Sequence, residues 1–477
     1  MGLPSGPHGV KTFMKESFPN SMREFNSLKE CREKTGHSSS QAVVVMDGNV
    51  LCRAIPLVVD TFDGYMRIFN GFLKQGFSTA DLVIVVFDEP QILTKAKLEE
   101  QKKRDAAQKR SAPIFSADLQ EKIAPVTDDY GQDELETSNP HEVMKHRKAR
   151  MRFFDSVCRS SMMSFEREKS GSQVLTFDGI DCRGAERPSS AEREPSMYSS
   201  DSKVEQLLTR APNSPLCGEG DLKLTDICSE IQTLKNSDEF FKNIEIAFVS
   251  TIDTDSIAIE LMHRSKNELC FASNMNDPPL KTILCFRETS KKRSSDDSER
   301  KGATFSCFDI EELHKSIVTG LFKDCKHTPT PDEYYNAICL LCAGWSLCGS
   351  DFVRLKGMRS DIVMSAVKQL CHASNAHILK RMSHVAALSR TSTPEEVAVA
   401  RTDVTTCIQT LVSNSITILA DTPRLQKSCA SAKLYESEHL LRSAWVTFYW
   451  SGLEFSDIEA WGFSGTHEDE RPTLDVT

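Results

Sequence analysis

Three short apolar runs constrain this chain more than any other feature: VVVM at Val43–Met46, LVIVVF at Leu82–Phe87 and IEIAFV at Ile244–Val249. They are rich in Val and Ile and lack polar alternation, as expected for central strands of a parallel sheet covered on both faces. Amphipathic segments between them, such as TFDGYMRIFNGFLKQG at Thr61–Gly76, set a βαβ rhythm. The expected fold class is therefore α/β, with a central, mostly parallel sheet flanked by helices. Each run also ends in acid: Asp47, Asp88, and the pair Asp253 and Asp255 in STIDTDSIAI. Ligands of open parallel sheets bind at the carboxyl ends of the strands, so these acids are expected to share one edge.

Between Ser111 and Pro215 the composition shifts to Ser, Pro, Glu and Asp, as in RGAERPSSAEREPSMYSSDSK at Arg183–Lys203. A largely disordered insertion is expected over 111–213. It is interrupted by a basic helix at 141–167, whose segment MKHRKARMRFF (Met144–Phe154) carries five Lys/Arg beside aromatics. The expected units are 1–110, this insertion, 214–370 with a polar loop at 287–303, and a helical region over 371–477. Within the last unit, Thr393-Pro394-Glu395-Glu396 reads as N-cap, N1 and first turn of a helix.

The formal net charge of −10 excludes a generic basic nucleic-acid binder, so any polyanion must meet local basic patches or metal ions. The 16 cysteines are scattered, which reads as free thiols of an intracellular protein, nuclear or cytoplasmic, rather than a disulfide framework. Cys339 and Cys342 form a CxxC inside AICLLCAGW; without a second pair or a nearby His they read as a buried helix seam. The sequence has no run of 18 apolar residues and its first residues lack an apolar signal core, so no membrane association is expected.

Two further acidic sites join the strand-end acids. SPLCGEGDLKL places Glu219 and Asp221 ahead of a helical stretch, and LCGSDFVRLKGM puts Asp351 after the apolar segment Tyr334–Cys348. Seven acids on one edge would be intolerable without cations, because each uncompensated buried charge costs several kcal/mol. Hard divalent ions with oxygen ligands are the natural counter-charge, and Mg²⁺ pairs readily with phosphate. Two such ions roughly 4 Å apart activate water and stabilise the leaving oxygen of a phosphodiester.

In order and local context these acids resemble the metal-dependent 5′ nucleases: flap endonucleases, XPG-type repair nucleases and 5′→3′ exoribonucleases, built on a PIN-like α/β fold. MDGNVLCRA resembles the first-strand motif, and VVFDEPQILTKAKLEEQKKR the second-strand aspartate followed by the family's basic helix. CGEGDLKL resembles the Glu-x-Glu motif, TIDTDSIAI the Asp-x-Asp motif and GSDF the last acidic motif. The resemblance covers roughly residues 1–370, leaving both insertions unmatched. It implies two Mg²⁺ ions, replaceable by Mn²⁺, held by Asp47, Asp88, Glu219, Asp221, Asp253, Asp255 and Asp351.

Gln91–Arg110 carries seven Lys/Arg against three acids. Lys97 and Arg104 lie seven residues apart and share a helix face; by resemblance they grip the scissile or 5′ phosphate. Lys95, Lys102 and Lys103 are secondary phosphate contacts, and Met144–Phe154 reads as the far side of an arch over the site. The sequence departs from the family at Glu89, where Gly is usual, and at the shorter Asp221. After Asp351 only Gly357 remains of the duplex-gripping glycine pattern, with Lys356 and Arg359 left as phosphate contacts. The opening residues, GEGD and AK…Q..R point to the 5′ end of single-stranded RNA as substrate. A 5′-flap DNA endonuclease and a non-catalytic nucleic-acid-binding scaffold are the alternatives.

Overall fold

Eight strands form one sheet: β1 (Met22–Phe25), β2 (Gln41–Asp47), β3 (Leu82–Val86), β4 (Val174–Asp178), β5 (Met197–Ser199), β6 (Ile244–Thr251), β7 (Lys281–Glu288) and β8 (Thr304–Asp309). Their spatial order is β1-β8-β7-β6-β2-β3-β4-β5. The five central strands, β7-β6-β2-β3-β4, run parallel, while β8, β1 and β5 are antiparallel additions at the edges. The computed structural model describes residues 9–37, 41–88, 139–144, 147–169, 171–179, 197–208, 219–235, 237–271, 279–288, 304–350, 353, 355, 358–372, 375–388, 392–420 and 437–451.

The unalternating apolar runs are explained by cover on both faces. Val43 and Val45 face one core while Val44 and Met46 face the other; Ile84 and Val86 likewise oppose Val83 and Val85. Each fully buried Val or Ile contributes roughly 1.5–3 kcal/mol. Helices Leu28–Lys34, Gly48–Arg53, Phe62–Phe77 and Arg147–Glu168 cover one face, and Gly220–Leu234, Asp255–Phe271 and Ile310–Phe322 the other. From β2 the chain moves outward through β3 to β4, then returns to the opposite side of β2 for β6 and β7. The strand order therefore reverses between β2 and β6, the point where open α/β sheets form their ligand-binding crevice at the strand carboxyl ends.

The stretch 111–213 departs from the expected insertion. It supplies β4, fully buried and paired in parallel with β3, and β5 beyond it. The expected basic helix exists as Pro140–Val143 followed by Arg147–Glu168, but it is not an arch. Its Phe153 and Phe154 are buried: Phe153 meets Tyr65 edge-on at 5.1 Å, and Phe154 lies 5.2 Å from Phe87. The apolar face of this helix is committed to the sheet, and even Arg150 is buried. The polar loop expected at 287–303 is narrower, because β7 runs to Glu288 and β8 starts at Thr304.

Helix Pro331–Cys348 is buried at every position from Tyr335 to Cys348, which places Cys339 and Cys342 in an apolar seam as expected. A capping box between Thr330 and Glu333 starts it. Helices Ser360–Leu370, Pro394–Ala420 and Ser437–Trp450 pack around it and share its apolar cluster. A Cβ on Gly344 would meet Val363 Cγ1 at 2.5 Å and Leu411 Cδ2 at 2.7 Å, so glycine sets the depth of this crossing. The described helices of the 371–477 region are thus joined to the main core. Among the described residues no helix is long and apolar enough to cross a membrane.

Candidate metal centre

Six of the seven predicted acids arrive at the crevice on four separate segments. Asp47 ends β2 and caps helix Gly48–Arg53, its Oδ1 accepting the Val50 N–H at 3.1 Å. Asp88 follows β3 by two residues, and its Oδ1 accepts the Gly220 N–H at 2.7 Å. Glu219 takes the N-cap position of helix Gly220–Leu234, with Asp221 in the first turn. Asp253 and Asp255 follow β6, with Asp255 opening helix Asp255–Phe271.

Local hydrogen bonds orient these groups. Thr251 and Ser256 hydroxyls donate to Asp221 Oδ1 at 3.4 and 3.3 Å, tying the first turn of one helix to the end of β6. The Asp255 N–H donates to Asp253 Oδ1 at 3.2 Å, while the Asp253 N–H donates to Thr251 Oγ1 at 3.1 Å. STIDTDSIAI is therefore an Asx-type turn as well as a paired-acid site; the two readings are compatible. Three helix N-termini face the cluster, and their partial positive charges offset part of the repulsion.

Asp47, Glu219 and Asp255 are buried, whereas Asp88, Asp221 and Asp253 are half-buried. Burial, then the nearby Asp88 carboxylate, pushes Asp47 up to about 7, with Asp253 adding to the rise and Val50 and Arg53 opposing it. Glu219 is pushed well above the usual carboxylate range by burial and then by Asp221, Asp88, Asp253 and Asp255. These neighbours connect all six acids, with Asp47 reaching Asp221 and Asp255 by way of Asp88, Asp253 and Glu219. Concentrated carboxylates with only oxygen donors fit hard divalent cations. No three of their oxygens among the described residues lie mutually within 4.8 Å.

Asp351, Lys95, Lys97, Lys102, Lys103, Arg104 and Lys356 lie outside the described residues. Arg359 is described: its Nε and Nη2 donate to Asp361 Oδ1 and Oδ2 at 3.0 and 2.8 Å, so its guanidinium is engaged by a bidentate partner within the chain.

Asp178 is an acid the sequence reading passed over, although VLTFD is another apolar run ending in aspartate. It lies at the end of β4 beside β3, and its Oδ2 is 3.3 Å from Lys223 Nζ, with both side chains almost wholly buried. Lys223 also donates to the Phe87 carbonyl at 3.0 Å, one residue before Asp88. Gly179 closes the arrangement with φ +88°; a Cβ there would stand 2.4 Å from the Phe87 carbonyl oxygen. Asp178 is thereby tied to a buried cation that braces the strand end.

No protein-family model matches this chain, and no curated protein sequence matches it.

Proposed function

We propose that this chain is a divalent-metal-dependent 5′ nuclease with a PIN-like fold that degrades single-stranded RNA in the 5′→3′ direction. The observation that carries the reading is the gathering of Asp47, Asp88, Glu219, Asp221, Asp253 and Asp255 at the point where the strand order reverses. These residues would hold two Mg²⁺ ions, with Mn²⁺ able to replace them. Bound there, such ions polarise the phosphoryl oxygens and lower the pKa of water.

The chain's own contribution is positioning. Backbone N–H groups of Val50, Gly220 and Asp255 fix the carboxylates of Asp47, Asp88 and Asp253, and Thr251 and Ser256 fix Asp221. Fixed ligands reduce the reorganisation needed as charge develops on the phosphate. The resemblance assigns phosphate neutralisation to Lys97 and Arg104. The RNA preference rests on the opening residues and the GEGD and AK…Q..R motifs.

The test is a substrate panel: 5′-phosphorylated RNA, single-stranded DNA and a 5′-flap duplex, each with Mg²⁺ and with EDTA. The expected result is metal-dependent release of nucleotides from the 5′ end of RNA. Cleavage of the flap alone would replace this reading with a structure-specific DNA endonuclease. Absence of cleavage on all three would leave a nucleic-acid-binding scaffold.

A further inference from the structure

Cys285 in β7 and Cys307 in β8 are direct cross-strand partners, with their sulfurs 3.4 Å apart. Cys31, on helix Leu28–Lys34, brings a third sulfur to the same face, and all three Sγ atoms lie within 4.8 Å of one another. All three are free and buried. Among the described residues this is the group of three Cys, His, Asp or Glu ligand atoms gathered so closely.

The spacing matches a specific coordination chemistry. Zn²⁺–thiolate bonds of about 2.3 Å at tetrahedral angles separate neighbouring sulfurs by roughly 3.8 Å. A cation can therefore sit among these sulfurs after side-chain adjustments of under about 1 Å. Buried cysteines usually serve as small apolar fillers, and Cys52 and Cys158 of the same core belong to no such group. A second observation separates the triad from packing: a cavity of about 400 Å³ is lined by Cys31 and Cys307 together with Arg23, Lys281, Asp309 and Glu312. The cavity supplies an entry path and space for a fourth ligand.

We propose that Cys31, Cys285 and Cys307 form a three-thiolate site for Zn²⁺, with the fourth coordination position facing this cavity. Binding releases the three thiol protons to solvent and leaves one net negative charge on the site. The site shares no residue with the carboxylate cluster and prefers a softer cation. It would pin helix Leu28–Lys34 to the β7–β8 pair, coupling metal binding to the stability of that sheet margin.

The test uses the full chain, stripped with chelator under reducing conditions and titrated with Co²⁺ and then Zn²⁺. The expected result is a near-ultraviolet thiolate-to-cobalt charge-transfer band saturating at one equivalent and bleached by Zn²⁺. Cys285→Ser and Cys307→Ser lose the band, whereas Cys325→Ser and Asp253→Ala retain it. Alkylation mapped by mass spectrometry needs no variant: Zn²⁺ protects Cys31, Cys285 and Cys307 relative to the metal-free protein. The proposal is overturned by absence of a cobalt band in the wild-type chain, by a band that survives replacement of all three cysteines, or by equal alkylation with and without Zn²⁺.

Discussion

The Gly220 N–H donates to Asp88 Oδ1 across 2.7 Å although 132 positions separate the two residues. This bond joins the end of β3 to the first turn of the helix that carries Glu219 and Asp221, fixing two acidic segments relative to each other. A Cβ on Gly220 would lie 3.1 Å from that same oxygen. Gly220→Ala is therefore expected to keep the fold but shift the Asp88 carboxylate by a few tenths of an ångström. We expect about tenfold lower turnover at saturating RNA, a barrier change of about 1.4 kcal/mol. Asp88→Ala and Asp253→Ala should cost at least about 100-fold, since metal catalysis supplies several kcal/mol. RNA cleavage rates, with circular dichroism to verify folding, check both expectations; full activity in either aspartate variant would sink the nuclease assignment.

Crowding the acids weakens the metal-free protein. Asp47→Asn retains an oxygen to accept the Val50 N–H while removing one charge from beside Asp88. The metal-free variant should be more stable than wild type by about 1 kcal/mol, a stability–function trade. Mg²⁺ should raise the wild-type melting temperature, with about 2.7 kcal/mol of stabilisation at 100 times its Kd, and raise that of the variant far less. Differential scanning calorimetry with and without Mg²⁺ measures both, and equal metal responses would argue against Asp47 as a ligand.

Removing one member of the Asp178–Lys223 pair takes the opposite charge away from a buried group between β4 and the helix behind it. Lys223→Met should destabilise by about 3–5 kcal/mol, and adding Asp178→Leu should restore much of the loss. Urea unfolding of the two single variants and the double variant forms the required cycle. Additive losses would mean that the two side chains act independently.

Acid sensitivity should arise from two histidines, His314 buried and His263 half-buried. Burial, aided by Lys266 for one and Arg264 for the other, pushes both His263 and His314 down to about 4. The folded state binds these protons less readily than the unfolded chain, in which His titrates near 6.5. Their contribution is present above pH 6.5 and is lost as pH falls toward 4, up to about 3 kcal/mol for each. Glu260, pushed up to about 7 by burial, acts with the opposite sign: its contribution is present below 4.5 and lost as pH rises through 7. His314→Gln keeps a polar group near Ser265, whose hydroxyl lies 2.6 Å from the ring Nε2. This variant should flatten the stability profile between pH 6.5 and 4, and an unchanged slope in urea titrations would refute the assignment.

Legibility in the sequence followed burial. β2, β3 and β6 stood out because both faces of each are covered, which erases polar alternation. β4 is harder to read because VLTFD lies in a polar, Ser- and Glu-rich stretch. Parallel pairing with β3 secures it as a strand. The acids of the crevice were legible because their chemistry is carried by residue type and order. The Gly220–Asp88 bond and the Cys31–Cys285–Cys307 triad were not, because each joins segments that become neighbours only through the folded sheet.

The parallel order of the central strands has one more consequence. β3, β4 and β7 all point the same way, so the connections leaving Asp88, Gly179 and Glu288 depart from the edge that carries the acids, and the one entering Glu219 arrives there. Doubling the length of such a connection costs only about 0.6 kcal/mol in closure entropy. The chain can therefore be lengthened or rewritten at these departures with little penalty to the sheet beneath. Chemistry anchored in strand ends tolerates almost no change, whereas the cost of changing the length of a connection between them grows only slowly.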